Sequence, residues 1–304
     1  MKRARRTAWL ELLRLPNVFT AVADVMMGYL VTHAGLEPRL HFGLLVAASC
    51  LLYLSGIVLN DVFDAGVDAR GRPDRPIPSG RISLRAASAA GWTLLAAGVL
   101  VACLASLVAN DVRPGLVAIF LAASIVLYDG PLKRTFIAPL VMGECRMLNV
   151  LLGMSVSIVP WDRFELLVAL GIGVYIVGVT IFARTDARQT DRRRLAVGLA
   201  VLLAGIAFLA GVPALSANRP PLVVSHSGWY LLWAALAFIT ARRCLLAVFN
   251  PEPARVQAAV RHCVHSIIVL DAAVCVGYAS PYWGFVVLVL LLPTLILTAW
   301  IRAT

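Results

Sequence analysis

Asn60, Asp64 and Asp68 stand at i, i+4 and i+8 where a long apolar stretch ends, in the run Asn60-Asp61-Val62-Phe63-Asp64-Ala65-Gly66-Val67-Asp68. On a helix this spacing stacks the three side chains along one face. Oxygens crowded in this way repel one another unless a cation lies between them. Hard divalent cations such as Mg²⁺ take such ligands and complete their shells with water and substrate phosphates. Asp61 falls about 100° round the axis, better placed to orient a ligand or to pair with an arginine. Arg72 follows, and then Arg75-Pro76-Ile77-Pro78-Ser79-Gly80. Guanidinium forks match phosphate oxygens, so acids and arginines together suit a metal-bound diphosphate. The plainer alternative is a solvated acidic loop after a membrane span.

A second loop, 184–194, carries Asp186 and Asp191 among Arg184, Arg188, Arg192, Arg193 and Arg194. Two acidic motifs at one end of a bundle would face each other across a cavity, as two metal ions bridging a diphosphate require. The two aspartates are five residues apart, which on a regular helix separates them by roughly 140°. Both reach one metal only if a bend or a helix end lies between them, and the arginines compete for their charge.

These residues sit in a chain that is 61% hydrophobic and 14% charged, with a mean hydropathy of +0.86. Such a composition describes a polytopic helical membrane protein. Apolar stretches near 17–34, 42–59, 86–109, 115–127, 137–159, 164–183, 195–215, 228–249, 264–279 and 282–301 predict nine or ten spans. Ser280-Pro281 reads either as a turn between short final spans or as a break in one element. The expected fold is an all-α transmembrane bundle forming one membrane domain over 1–304, with no low-complexity linker.

With ten spans and a cytoplasmic N-terminus, 22 basic residues fall on the cytoplasmic side and four (Arg39, Arg113, Arg163, Arg219) on the other. This is the positive-inside pattern, and it places both acidic motifs at the cytoplasmic face. The chain thus reads as a multi-pass protein of a bacterial inner (cytoplasmic) membrane. Lys2, Arg3, Arg5 and Arg6 resemble a signal n-region, but Pro16, Asn17 and Asp24 within the next stretch point to a retained first span. The net charge of +11 belongs to residues flanking spans, so anionic headgroups and a diphosphate are the expected partners and nucleic acid is not. The six cysteines form no C-x-x-C pair and read as small core residues.

Polar residues inside spans are functional candidates by default. Arg146 and Asn149 share a helix face at i, i+3, and Glu144 faces elsewhere. Arg146 would meet a diphosphate, an acceptor carboxylate or an acid on another helix, for which Asp271 is available; a buried structural ion pair is the alternative. Asn17 and Asp24 lie seven apart on one face and are candidates to line a cavity. Trp229, Tyr230 and Trp233 read as an interfacial belt.

Asn60-Asp61-x-x-Asp64-x-x-x-Asp68, the Arg75–Gly80 run, and Tyr128 with Lys133-Arg134 resemble the UbiA superfamily of intramembrane prenyltransferases. The opening segment Leu13-Arg14-Leu15-Pro16-Asn17 is similar to that family's first-helix start. The stretches Gly143–Met154 and Leu15–Thr20 look closest to its EboC-like branch. The resemblance covers nearly the whole chain. It implies a helical bundle whose central cavity opens to the bilayer and is capped on the cytoplasmic side. A Mg²⁺-bound prenyl diphosphate would be held there and its prenyl group transferred to a lipophilic or aromatic acceptor, an aromatic one being favoured. Asn60, Asp64, Asp68, Asp186 and Asp191 would be metal ligands. Arg72, Arg75, Lys133 and Arg134 would grip the diphosphate, although Lys133-Arg134 also reads as a plain membrane anchor. Asn17, Asp24, Tyr128, Arg146, Asn149 and Asp271 would line the cavity. The second motif departs from the family pattern of two aspartates four apart, which leaves open a non-catalytic lipid-binding or transport component with the same fold. A secondary transporter would need mid-membrane ionisable groups and inverted repeats, and the chain gives only a hint of either.

Overall fold

The computed structural model describes residues 2–33, 35–157, 159–184, 191–216 and 220–303. Every regular element among them is helical. Helix α1 (Lys2–Leu13) passes through a 3₁₀ turn at Leu15–Asn17 into α2 (Val18–His33). Then come α3 (Arg39–Phe63), α4 (Ala65–Gly71), α5 (Leu84–Ala109), α6 (Arg113–Leu127) and α7 (Ala138–Gly153). The remainder are α8 (Arg163–Ala183), α9 (Arg192–Leu215), α10 (His226–Phe249), α11 (Pro253–Tyr278), α12 (Pro281–Val289) and α13 (Leu291–Ala303).

Nine segments among the described residues are long and apolar enough to cross a bilayer. Helices α12 and α13 form the last of them, meeting at Leu290. Pro281 therefore opens a separate span, and Ser280 caps it by accepting a hydrogen bond from the Trp283 amide. Helix starts elsewhere follow the same chemistry. Ser83 and Ser225 cap α5 and α10, and Asp162 with Glu165 forms a capping box at α8.

Helix α7 departs from the expected 137–159 stretch and stops at Gly153, after only 16 residues. Its second half, Leu148 to Gly153, is buried throughout. The chain then turns: Ser155 Oγ donates to the Leu152 carbonyl, and Trp161 Nε1 donates to that of Met154. Arg113 closes this end of the bundle. It donates to Asp111 and to the Ser157 carbonyl and lies over the Trp161 ring. Its hydrogen bonds hold the Asp111 carboxyl below the usual carboxylate range.

Large apolar side chains cover the outside, among them Leu100, Leu104 and Leu107 of α5 and Leu231 and Phe238 of α10. Lipid satisfies such a surface and water does not. Helices α2, α7, α8 and α11 carry much of the interior. One of the close approaches within it joins α2 to α7. A Cβ at Gly153 would fall on the backbone of Val25, and one at Gly28 would meet the carbonyl of Val150. Small residues let membrane helices approach in this way. Gly153→Ala is expected to lower stability by about 1–3 kcal/mol, read as a lower thermal midpoint in detergent; an unchanged midpoint would contradict the tight α2–α7 contact.

Candidate active site

A cavity of about 620 Å³ lies between the 3₁₀ turn at Leu15–Asn17 and α3, α6, α7, α8 and α11. Its walls are apolar, including Leu52, Ile57, Leu121, Ile125, Ile176, Val179, Val260, Val264 and Ile267. Its mouth is polar, where Arg14, Asn17, Asn60, Asp64, Arg72, Arg75, Tyr128, Asp129, Lys133 and Arg184 converge. Arg146 and Asn149 line it further along α7.

The mouth is assembled from four segments. The α3–α4 junction supplies the acids. The backbone ladder continues through it, from the Asp64 amide to the Asn60 carbonyl at 3.0 Å and from the Asp68 amide to the Asp64 carbonyl at 2.9 Å. Yet Asp64 has ψ −7°, far from the roughly −42° of a regular helix. That departure ends α3 and turns α4. Asn60 and Asp64 consequently line the cavity, and Asp68 is buried behind it.

The Arg75–Gly80 segment folds back over this junction. Gly80 adopts φ +74°, a left-handed turn that suits glycine, with its amide bonded to the Ile77 carbonyl. Pro76 and Ile77 are buried, Ile77 in a small core with Ala8 and Leu12 of α1, Val58 of α3 and Ala87 of α5. So anchored, Arg75 reaches Asp68 Oδ2 at 2.5 Å and Asp61 Oδ1 at 3.4 Å. Asp61 also accepts from Arg14 at 2.6 Å. Arg14 occupies a left-handed conformation (φ 44°) at the joint between α1 and the 3₁₀ turn.

The third segment is a π-turn over Tyr128–Leu132, where Gly130 and Pro131 break α6. It brings Asp129, nearly fully buried, against Asn60, whose Nδ2 donates to Asp129 Oδ1 at 2.8 Å. Lys133 follows and donates to Asp64 Oδ2 at 2.6 Å. From the end of α8, Arg184 donates to the carbonyls of Lys133 (2.7 Å) and Thr135 (2.9 Å) and so fixes that loop. Arg72 lines the mouth with no ion pair or side-chain hydrogen bond among the described residues. Arg134 is exposed and does not line the cavity.

Of the second motif, Asp186 lies outside the described residues. Asp191 is the N-cap of α9, accepting from the Arg193 amide at 2.9 Å and lying 3.7 Å from Arg194. Its carboxylate is half exposed and does not line the cavity.

At the inner end, Arg146 donates to Asp24 Oδ2 at 2.7 Å and to Thr20 Oγ1 at 2.8 Å, and lies over the Tyr53 ring. Asn149 Nδ2 donates to Asp24 Oδ2 at 2.9 Å and to the Ala21 carbonyl; Asn149 Oδ1 accepts from Ser49 Oγ at 2.7 Å. Asp24 is thus buried beneath the cavity and does not line it, held as the acid partner of Arg146. Asp271 is fully buried close to both and accepts no hydrogen bond among the described residues.

Sequence reasoning passed over Asp129, and gave Arg14 and Arg184 no part in a cavity. The signal for Asp129 was the Tyr-Asp-Gly-Pro tetrapeptide, an acid placed where Gly-Pro must end a helix. Asn60, Asp64 and Asp129 all line the mouth, an oxygen set of the type Mg²⁺ takes when one or two carboxylates are completed by phosphate and water. Among the described residues no three acidic, His or Cys side chains gather into a metal cage.

A bundle of membrane helices around an apolar cavity, with acids and arginines at one mouth, defines an intramembrane lipid-handling protein. Residues 21–250 match the UbiA prenyltransferase family, and the chain belongs to that family. It is 47% identical over 94 residues to the digeranylgeranylglyceryl phosphate synthase of Methanothrix thermoacetophila, covering 31% of this chain and 35% of that one. To the synthase of the same name from Methanopyrus kandleri it is 34% identical over 165 residues, covering 51% and 56%. The chain thus spans at most about half the length of these curated relatives in alignment. A UbiA homolog from Archaeoglobus fulgidus, solved bound to GPP and Mg²⁺, has the same fold: TM-score 0.67 at 14% identity, over 92% of this chain and 99% of that one.

Proposed function

We propose that this protein is an integral membrane prenyltransferase that moves a prenyl group from a prenyl diphosphate to a lipophilic acceptor with Mg²⁺. The observation that carries this reading is the cavity itself, a polar, cation-rich mouth over an apolar chamber. The apolar walls accept an isoprenoid chain from the bilayer and exclude water. Arg72, Arg75 and Lys133 receive the diphosphate at the mouth, with Arg134 beside them on the same loop. Asn60, Asp64 and Asp129, which line the mouth, would hold Mg²⁺. Asp68 would act behind them through Arg75, Asp191 caps α9 away from the cavity, and Asp186 would be the second loop's contribution. Bound there, Mg²⁺ would supply stabilisation of the charge on the departing diphosphate. The allylic C–O bond breaks with its electron pair leaving on the diphosphate. A nucleophilic oxygen or carbon of the acceptor bonds to the allylic carbon, and the acceptor's proton is lost to solvent. Lys133 and Arg75, which pair with Asp64 and Asp68 in this structure, would turn to the phosphate oxygens when the diphosphate binds. The N-terminus and this mouth face the cytoplasm in the proposed orientation.

For the acceptor, the relatives' name favours a glyceryl phosphate already carrying one prenyl chain over the aromatic acceptor expected from the family as a whole. The exposed, helix-capping position of Asp191 favours a second reading, a lipid-binding component that retains the diphosphate without releasing it. One experiment separates these readings. Purified protein is given Mg²⁺, labelled geranylgeranyl diphosphate and either geranylgeranylglyceryl phosphate or 4-hydroxybenzoate. The expected result is diphosphate release and labelled ether product with the glyceryl phosphate, abolished by EDTA and restored by Mg²⁺. Product only with 4-hydroxybenzoate would reverse the choice of acceptor. Tight binding of the diphosphate with no release in either case would support the binding component.

A further inference from the structure

A second concavity, of about 360 Å³, lies on the other side of α11 from the reaction cavity. Val260, Val264 and Ile267 of α11 face the reaction cavity, whereas Arg261, His262 and His265 face this one. Arg243 of α10, Ala258 of α11 and Leu295, Thr298 and Ala299 of α13 complete it, and no acidic residue among the described residues lines it. Arg243 and Arg261 have no ion pair among the described residues, in contrast to Arg255 at the start of α11, which pairs with Glu252 at 3.1 Å. The Nε2 of His262 is buried without a hydrogen-bond partner. Arg243 and Arg261 are both exposed, and two guanidinium groups without an acid partner bordering one hollow give it a positive potential that favours an anion.

The surroundings specify which anion. Arg261 lies eight residues, about 12 Å, along α11 from its start and is exposed, so the hollow opens on the flank of the helix and not at its tip. Leu295, Leu292 and Leu288 step away from it along α13 and α12 at three- and four-residue spacing, all exposed. A cationic hollow at the head of an apolar stripe matches an amphiphile with a charged end and a long chain. A free phosphate ion would use the hollow and leave the stripe unexplained.

We propose that this groove binds the phosphate headgroup of an anionic membrane lipid, whose chain lies along Leu295, Leu292 and Leu288. The proposal is independent of the acceptor and of turnover in the reaction cavity. It is tested on the full chain by native mass spectrometry in detergent, titrating phosphatidylglycerol and, separately, phosphatidylcholine. The unsubstituted chain is expected to hold one phosphatidylglycerol in preference to phosphatidylcholine. Arg243→Gln with Arg261→Gln should weaken phosphatidylglycerol roughly thirty-fold and leave phosphatidylcholine unchanged, taking about one Arg-headgroup attraction per residue removed. Arg255→Gln, which removes a paired arginine from the same helix, should change neither. Thr298→Glu, which places an acid in the groove without removing a cation, should lower phosphatidylglycerol binding as well, and serves if the double variant fails to fold. Equal binding of the two lipids by the unsubstituted chain overturns the proposal, as does undiminished phosphatidylglycerol binding by the folded variants. Displacement of the lipid by millimolar inorganic phosphate overturns the lipid assignment in favour of a free-phosphate site.

Discussion

Asp64→Ala is expected to reduce Mg²⁺-dependent release of diphosphate from geranylgeranyl diphosphate by roughly a hundred- to a thousandfold or more, the cost of losing one preorganised electrostatic contact to a developing anion. Asp64 is the one carboxylate of the opening triplet that lines the cavity, and it is also the partner that holds Lys133 at 2.6 Å. On the proposed function, its removal would take away a metal ligand and free the Lys133 cation that would otherwise be held for the phosphate. Asp68→Ala should also suppress release, by a different route. Asp68 is buried behind the cavity and holds Arg75 at 2.5 Å, so its loss should show first as a raised KM for the diphosphate. Both are checked with purified variants and labelled substrate across a Mg²⁺ titration. Full turnover by Asp64→Ala would sink the assignment of that residue.

The second large effect falls on stability. Asp24→Ala is expected to cost about 3–5 kcal/mol, because it strips a buried guanidinium of its hydrogen-bonded acid and leaves only Asp271 nearby, with which it forms no ion pair. Asp24 is fully buried, and its Oδ2 accepts from both Arg146 and Asn149. The partners come from α2 and α7, the same two helices that Gly28 and Gly153 bring together. The thermal midpoint in detergent reads the loss. A double substitution, Asp24→Leu with Arg146→Met, should recover much of it, since replacing a buried pair by apolar residues is often neutral or better. A double variant as unstable as Asp24→Ala alone would show that packing at this site, and not charge pairing, sets the cost.

The spans were legible because a hydrocarbon environment demands long uninterrupted apolar runs, and the chain has them. The boundaries that failed were those set by neighbours. Helix α7 was read six residues too long because Met154–Val159 continues an apolar pattern; its end is set by the contact of Gly153 with α2 and by the turn at Ser155. At the site, Asn60 and Asp64 were legible from spacing alone. The inward turn of Asp68 was not, because one residue with ψ near zero redirects everything after it. Asp129 was missed for another reason. Gly130-Pro131 marks a helix end beside it, but its partner Asn60 lies 69 positions away on a different helix, and that meeting belongs to the packing. Asp24 and Arg146 show the same limit: both were legible as polar residues within the membrane, but their pairing across 122 positions belongs to the packing.

The brevity of α7 has a consequence for how the protein sits in its solvent. Sixteen residues rise only about 24 Å, less than the roughly 30 Å of a bilayer's hydrocarbon layer. A lipid-facing helix of that length would suffer hydrophobic mismatch and would thin the leaflets around it. Here the half from Leu148 onward is buried, so its neighbours meet the lipid in its place. The helix that carries Arg146 and Asn149 is thereby freed from matching the bilayer. Its length answers to the depth of the chamber, and membranes of different thickness should leave that depth unchanged.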